Sequence, residues 1–189
     1  MEKIPNWLKL WAQLSKIQVD AFHRKKEYSE DDFWEHKARH FDRMVKKRWS
    51  NPDSSRQFLQ SVLTDHPGST LLDIGAGTGA WSLFLAPFAK QITALEPSDA
   101  MGEILRENMA EQEITNIRLV KGNWPDIDME PHDYVLGSHS MYGETEFSKF
   151  ILKMSNNARK TCFLVLRVSF SDALMAKAAS HVWGHPLKG

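Results

Sequence analysis

The sequence predicts a doubly wound α/β fold: a Rossmann-like sheet of about five parallel strands, helices on both faces, and an N-terminal helical extension. Three observations predict it. From Thr70 onward, short apolar runs alternate with helical patterns, the rhythm of βαβ units. The first run, Thr70–Ile74, leads into Gly75, Gly77 and Gly79 and then into a helix. The last run, Thr161–Val168, is nearly all apolar, as expected of a strand buried on both faces. A strand, glycine turn and helix let backbone approach a nucleotide-like ligand, because a Cβ would block the approach or forbid positive φ.

Composition narrows the class. Hydrophobic residues make 42% of the 189-residue chain and charged residues 25%, as in a soluble globular domain. That length supports one good core with a small helical appendage. Twenty-four basic side chains balance 24 acidic ones, so no global field draws in nucleic acid or an anionic membrane. The lone cysteine, Cys162, has no partner for an internal disulfide, which points to a reducing cytoplasm. The first residues lack a signal-peptide core, and no apolar run is long enough to span a bilayer. The histidines, His36, His40, His132, His181 and His185 among them, show no metal spacing, and no metal is expected.

Taken in order, Asn6 to about Glu27 predicts a helix with Trp7, Trp11 and Leu14 on one apolar face. Ser29 and Asp32 then resemble a capping box before a second helix carrying Phe33, Trp34, Phe41, Met44 and Val45. Lys46-Lys47-Arg48 suits that helix's negative end as a solvated terminus. Asp53–Thr64 predicts a third helix with Phe58, Leu59, Val62 and Leu63 inward, and residues 1–64 together read as a helical extension and cap. The α/β domain takes residues 65–189. Its strands are expected at Thr70–Ile74, Ile92–Leu95, Ile117–Val120, Tyr134–Leu136 and Thr161–Val168. Helices are expected from about Gly79 to Ala86, after the Pro97-Ser98-Asp99 cap, around Phe147–Met154, and over Ser171–Val182.

Ligands of open α/β sheets bind at the carboxyl ends of the strands. Four such ends here carry glycine or polar residues: Asp73 with the glycine turn, Glu96, Asn123-Trp124 and Ser138-His139. Glu96 stands 23 positions after Asp73, the separation of an acid that accepts from both hydroxyls of a ribose. A dinucleotide fingerprint spaces its third glycine one position later than Gly79. An acid at Asp73 also repels a pyrophosphate and favours a cationic or zwitterionic ligand. S-adenosylmethionine, with a sulfonium, an amino group and no phosphate, therefore suits this turn better than NAD.

Leu72-Asp73-Ile74-Gly75-Ala76-Gly77-Thr78-Gly79 resembles motif I of the class I S-adenosylmethionine-dependent methyltransferases. Ala94–Met101 resembles the following segment of the ubiquinone/menaquinone-methyltransferase-like and methyltransferase type 11 groups, and Phe33–Asp42 is similar to their entry helix. The resemblance implies S-adenosyl-L-methionine as cofactor and S-adenosyl-L-homocysteine as product. Gly75, Ala76, Gly77, Thr78 and Gly79 would border the methionine portion, with Asp73 near its amino group. Glu96 would hold the ribose, Pro97 and Met101 would flank the adenine, and Ser138 would lie beside the transferring methyl. Asn123 stands where the family usually has Asp against the adenine amino group. Trp124 would pack on adenine or, equally, close the core edge. His139 and Tyr142 are the candidates for a base if the acceptor must lose a proton.

The implied partner is a small-molecule methyl acceptor. The Asn/Asp-Pro-Pro-Tyr signature of amine methylation on nucleic acids is absent after the fourth strand, where Gly137-Ser138-His139-Ser140 stands. The resembling fold has two further antiparallel strands, for which Ser171–Gly189 leaves little room. A shortened chain, or a homodimer or partner chain covering Thr161–Val168, is the expectation. Two alternatives stand beside the enzyme: a non-catalytic S-adenosylmethionine-binding or assembly protein, and a nucleotide-cofactor oxidoreductase.

Overall fold

The computed structural model describes residues 6–24 and 30–166. Three helices come first: α1 (Trp7–Arg24), α2 (Glu30–Trp49) and α3 (Ser54–Asp65). Then follow β1 (Thr70–Ile74), α4 (Ala80–Leu85), β2 (Gln91–Glu96), α5 (Asp99–Glu111), β3 (Ile117–Lys121), β4 (His132–Ser138), α6 (Phe147–Asn157) and β5 (Ala158–Val165). The five strands form one sheet of order β3-β2-β1-β4-β5, and every pairing is parallel. The order reverses direction at β1, which puts the binding crevice over the ends of β1 and β4. The helix expected at Ser171–Val182 lies outside the described residues.

The strands behave as buried parallel strands should. Leu71, Leu72, Ile74, Ile92, Leu95, Val135 and Leu136 are all buried, some toward each face of the sheet. Leu59 and Leu63 of α3 share a core with Leu71, Ile92 and Leu136. The helix before β1 is thus integral to the sheet's covering layer. Its start is held by Asp53, whose carboxylate accepts from the amides of Ser55 and Arg56. Ser98 caps α5 the same way through Met101.

Two packing expectations are corrected. The fifth strand begins at Ala158, ahead of the expected Thr161, runs to Val165 and is not buried on both faces; positions 167 and 168 of the expected strand lie outside the described residues. Arg159, Lys160 and Thr161 are exposed, and β5 has β4 on one side and no strand on the other among the described residues. Among the described residues it is an edge strand. In α1, Trp7 and Leu14 do not pack inward: Trp7 is 67% exposed and Leu14 is exposed too. That helix docks through Trp11, whose ring meets Phe147 at 4.6 Å and whose indole N–H donates to the Glu144 carbonyl at 2.8 Å.

Docking of α2 uses a small residue. Ala38 is buried against Met101 and Ile104 of α5, so the backbones come close. Around that contact Asn108 donates from its amide to Asp42 Oδ1 (3.1 Å) and to the Thr78 carbonyl (3.0 Å). Lys46 Nζ reaches Asn108 Oδ1 at 2.8 Å and Asp42 at 3.0 Å. One buried carboxamide therefore fastens α2, α5 and the glycine turn together.

Candidate cofactor and active site

Gly75, Gly77 and Gly79 all have positive φ, and the structure gives each a different reason to be glycine. A Cβ on Gly75 would lie 2.5 Å from Ser140 Cβ, and one on Gly79 would lie 2.2 Å from Leu105 Cδ1. Both glycines are demanded by internal packing. A Cβ on Gly77 would meet only Phe41, at an ordinary 3.8 Å, and would project into the cavity above the turn. Gly77 is shaped for its φ of +58° and for whatever lies in that cavity.

Two acids stand beneath and beside the turn. Asp73 is 1% exposed and its Oδ2 accepts from Ser82 Oγ at 2.6 Å. Burial pushes its carboxyl up to about 6, the charge on Glu96 adds to the rise, and the bonds from Ser82 oppose it. Among the described residues no cation forms an ion pair with Asp73. Glu96 is also buried, and its oxygens accept from the Gly77 amide (2.7 Å) and the Ser98 amide (2.9 Å). The acid that ends β2 thereby holds the glycine turn that follows β1.

The cavity is lined by Asp73, Gly75, Ala76, Gly77 and Thr78 and, from the neighbouring strand β4, by Ser138 with the following His139. Ser138 Oγ accepts from the Trp81 indole at 2.8 Å. His139 sits at φ +58°, uncommon for a side-chain-bearing residue, and its Nδ1 lies 2.9 Å from the Tyr142 hydroxyl with the rings stacked. Beside them, Ser140 Oγ is buried without a hydrogen-bond partner in the structure.

The remaining expected positions separate. Pro97 is exposed at the mouth of α5, while Met101 is buried against α2. Asn123 is outside the cavity and donates from its amide to Asp126 at 3.0 Å. Trp124 is corrected as an adenine platform: it is 6% exposed, stands edge-on to Phe150, donates to the Phe150 carbonyl at 3.3 Å, and carries Lys153 Nζ 5.1 Å from its ring centre. The ring is a core residue, clustered with Leu72, Ile74, Leu95 and Phe150. Sequence reading missed the roof of the cavity, which comes from far upstream: Phe41, Val45, Arg48 and Trp49 of α2 and Arg56 of α3. Only the helical period of α2 hinted at it.

The donor set fits S-adenosylmethionine: a turn open at Gly77, a buried carboxylate awaiting a cation, and a second acid at the β2 end. Residues 71–161 match the sequence model of the family described as "Methyltransferase domain". This stretch of the chain is similar to a methyltransferase domain. That family takes S-adenosylmethionine as its cofactor.

Relatives agree on the domain and differ in target. The "Probable ribosomal RNA small subunit methyltransferase A" of Methanosphaera stadtmanae is 29% identical over 112 residues, 59% of this chain and 40% of its own length. The protein-L-isoaspartate O-methyltransferase 1 of a Polaromonas species is 31% identical over 90 residues, 43% of this chain and 37% of its own. A solved S-adenosylmethionine-dependent methyltransferase of Clostridium acetobutylicum shares the fold with a TM-score of 0.55 at 16% identity, over 67% of this chain and 56% of that one. The matched regions thus span well under half of the two sequence relatives. Among the described residues of the methyltransferase domain and its helices, none is long and apolar enough to cross a membrane. No group of three or more potential ligands is placed to hold a metal ion among them.

Proposed function

We propose that this chain binds S-adenosylmethionine along the glycine turn and transfers its methyl group to a small-molecule acceptor. The observation that carries the reading is the buried Asp73 carboxylate facing the turn without a cation. A buried charge is costly unless paired, and the ammonium of the methionine portion supplies the pair. A pyrophosphate would place like charge there.

When bound, the cofactor would supply an activated methyl group on a sulfonium, with the neutral thioether as its leaving group. The chain's own residues bind and orient. Glu96, at the end of β2, takes the ribose hydroxyls. Pro97 borders the adenine, and Asn123, whose nitrogen is turned to Asp126, offers its carbonyl oxygen to the adenine amino group. Trp81 fixes the Ser138 hydroxyl at the end of β4. His139 takes the acceptor's proton where one must leave, with Tyr142 orienting its ring through Nδ1. Positioning contributes most of the rate, as expected for a displacement at an activated carbon.

The roof built by α2 supports a small acceptor, since Phe41 covers the turn from above. A nucleic-acid acceptor is the second reading, favoured by the printed name of the Methanosphaera relative. Cysteine usage supports a cytoplasmic setting. We also propose that a second copy or a partner chain covers the outer edge of β5; a monomeric mass by light scattering argues against the second copy.

Incubation with methyl-labelled S-adenosylmethionine and three acceptor pools tests the activity: small hydroxy, amino and thiol compounds, ribosomal RNA, and unfolded peptides. Label in the first pool is expected. Label only in RNA would reassign the acceptor, and label in none would reject methyl transfer.

A further inference from the structure

The cavity has a side that the cofactor does not need. With Glu96 ending β2 and the glycine turn following β1, the cofactor runs from the β2 side toward β1. The neighbouring half lies over β4 and β5, and this is where an acceptor must approach. The inference rests on the reading that S-adenosylmethionine occupies the glycine-turn end.

That half is aromatic and basic. Trp49 stands edge-on to Trp81 at 5.1 Å, and Trp81 is anchored by Ser138. The guanidinium of Arg56 lies 4.7 Å from the centre of the Trp49 ring and donates to the carbonyls of Trp49 and Asn51. Those acceptors are neutral, and Arg56 forms no ion pair among the described residues, its charge acting on the nearby Asp53. The basic run that ends α2 has divided roles. Lys46 is spent on Asp42 and Asn108, whereas Arg48 lines the cavity, is exposed, and has no ion pair among the described residues. Among the described residues lining the cavity, the acids are Asp53, whose carboxylate caps α3 by accepting from two amides, and Asp73 under the glycine turn. With Asp73 assigned to the cofactor's ammonium, the guanidiniums of Arg48 and Arg56 share the lining with one capping carboxylate.

We propose that the acceptor is a planar aromatic compound bearing an anionic oxo group, carboxylate or phosphate, with its ring against Trp49 and Trp81 and its anion on Arg48. Arginine pairs such groups through two parallel N–H donors, and an aromatic wall favours a flat body. Arg48 is then the residue that sets acceptor specificity without touching the cofactor.

The test uses the full chain saturated with S-adenosylhomocysteine, whose own binding is measured first. Failure at that step rejects the cofactor reading and leaves the acceptor question unposed. The saturated protein is titrated with benzoate, phenyl phosphate, benzamide and benzylamine, followed by tryptophan fluorescence and calorimetry. At least one anion is expected to bind about tenfold or more tightly than benzamide and benzylamine, and Arg48→Gln to erase that preference. Affinity for S-adenosylhomocysteine is expected to stay within about threefold in the variant, a difference below 1 kcal/mol. Whichever of benzoate and phenyl phosphate binds more tightly assigns the oxo group. Equal binding of all four probes, binding of none, preference for benzylamine, or an anion preference that survives Arg48→Gln would each overturn the proposal.

Discussion

The amide of Gly77 donates to Glu96 Oε2 at 2.7 Å, joining the turn after β1 to the acid at the end of β2. The other carboxylate oxygen holds the Ser98 amide at 2.9 Å. Glu96→Gln puts an N–H₂ against one of those two amides. It is expected to destabilise the fold by about 1–3 kcal/mol in urea and to weaken S-adenosylhomocysteine binding tenfold or more. Unchanged affinity with lowered stability would reduce Glu96 to a structural brace.

Asp73 makes stability depend on pH in a defined direction. Its carboxyl titrates at about 6 in the fold against an ordinary value of 3.8, so the folded state holds the proton more tightly. The stabilisation from that proton is fully present below about pH 4 and is lost as pH rises through about 6. The difference amounts to about 3 kcal/mol. Asp73→Asn keeps an acceptor for Ser82 and removes the buried charge. Its urea midpoint is expected above the wild type at pH 8 and level with it at pH 4.

The glycines separate packing from binding. Gly79→Ala forces a Cβ to 2.2 Å from the buried Leu105 at φ +93°, and is expected to cost about 3 kcal/mol or prevent folding. Gly77→Ala meets no clash and is expected to cost about 1 kcal/mol for its left-handed backbone, while lowering S-adenosylhomocysteine affinity by more than stability. Parallel denaturation and calorimetry on the two variants check the contrast.

Asn108 tests whether the roof is fastened from below. Asn108→Ala leaves Asp42 and the Thr78 carbonyl without their shared donor, at a cost of about 1–3 kcal/mol. Hydrogen exchange is expected to quicken in α2 and the glycine turn while β1 and β4 stay protected. Uniform quickening across the sheet would instead mean a global loss of stability.

What the sequence disclosed follows from the range of the forces involved. The strands, the turn and the capping of α5 were legible because periodicity, glycine φ and side-chain capping act within a few residues. The sheet-end rule placed Asp73 and Ser138 together, and both line one cavity. Contacts over long separations were not legible: Phe41 above Gly77, Asn108 between Asp42 and Thr78, and Arg56 on Trp49. Burial of Trp124 was undecidable locally, because a loop tryptophan reads the same whether it faces adenine or Phe150. In α1, the spacing of Trp7, Trp11 and Leu14 marked an amphipathic helix but not which of its apolar residues would dock.

Calorimetric titration of the wild type and Asp73→Asn with S-adenosylhomocysteine at pH 8 tests the central claim, that the ammonium of a phosphate-free ligand pairs with the buried acid under the glycine turn. The wild type is expected to bind one equivalent, and the variant to bind at least about tenfold more weakly although it folds more stably. Absence of binding to the wild type, or equal affinity in the two proteins, would contradict the account.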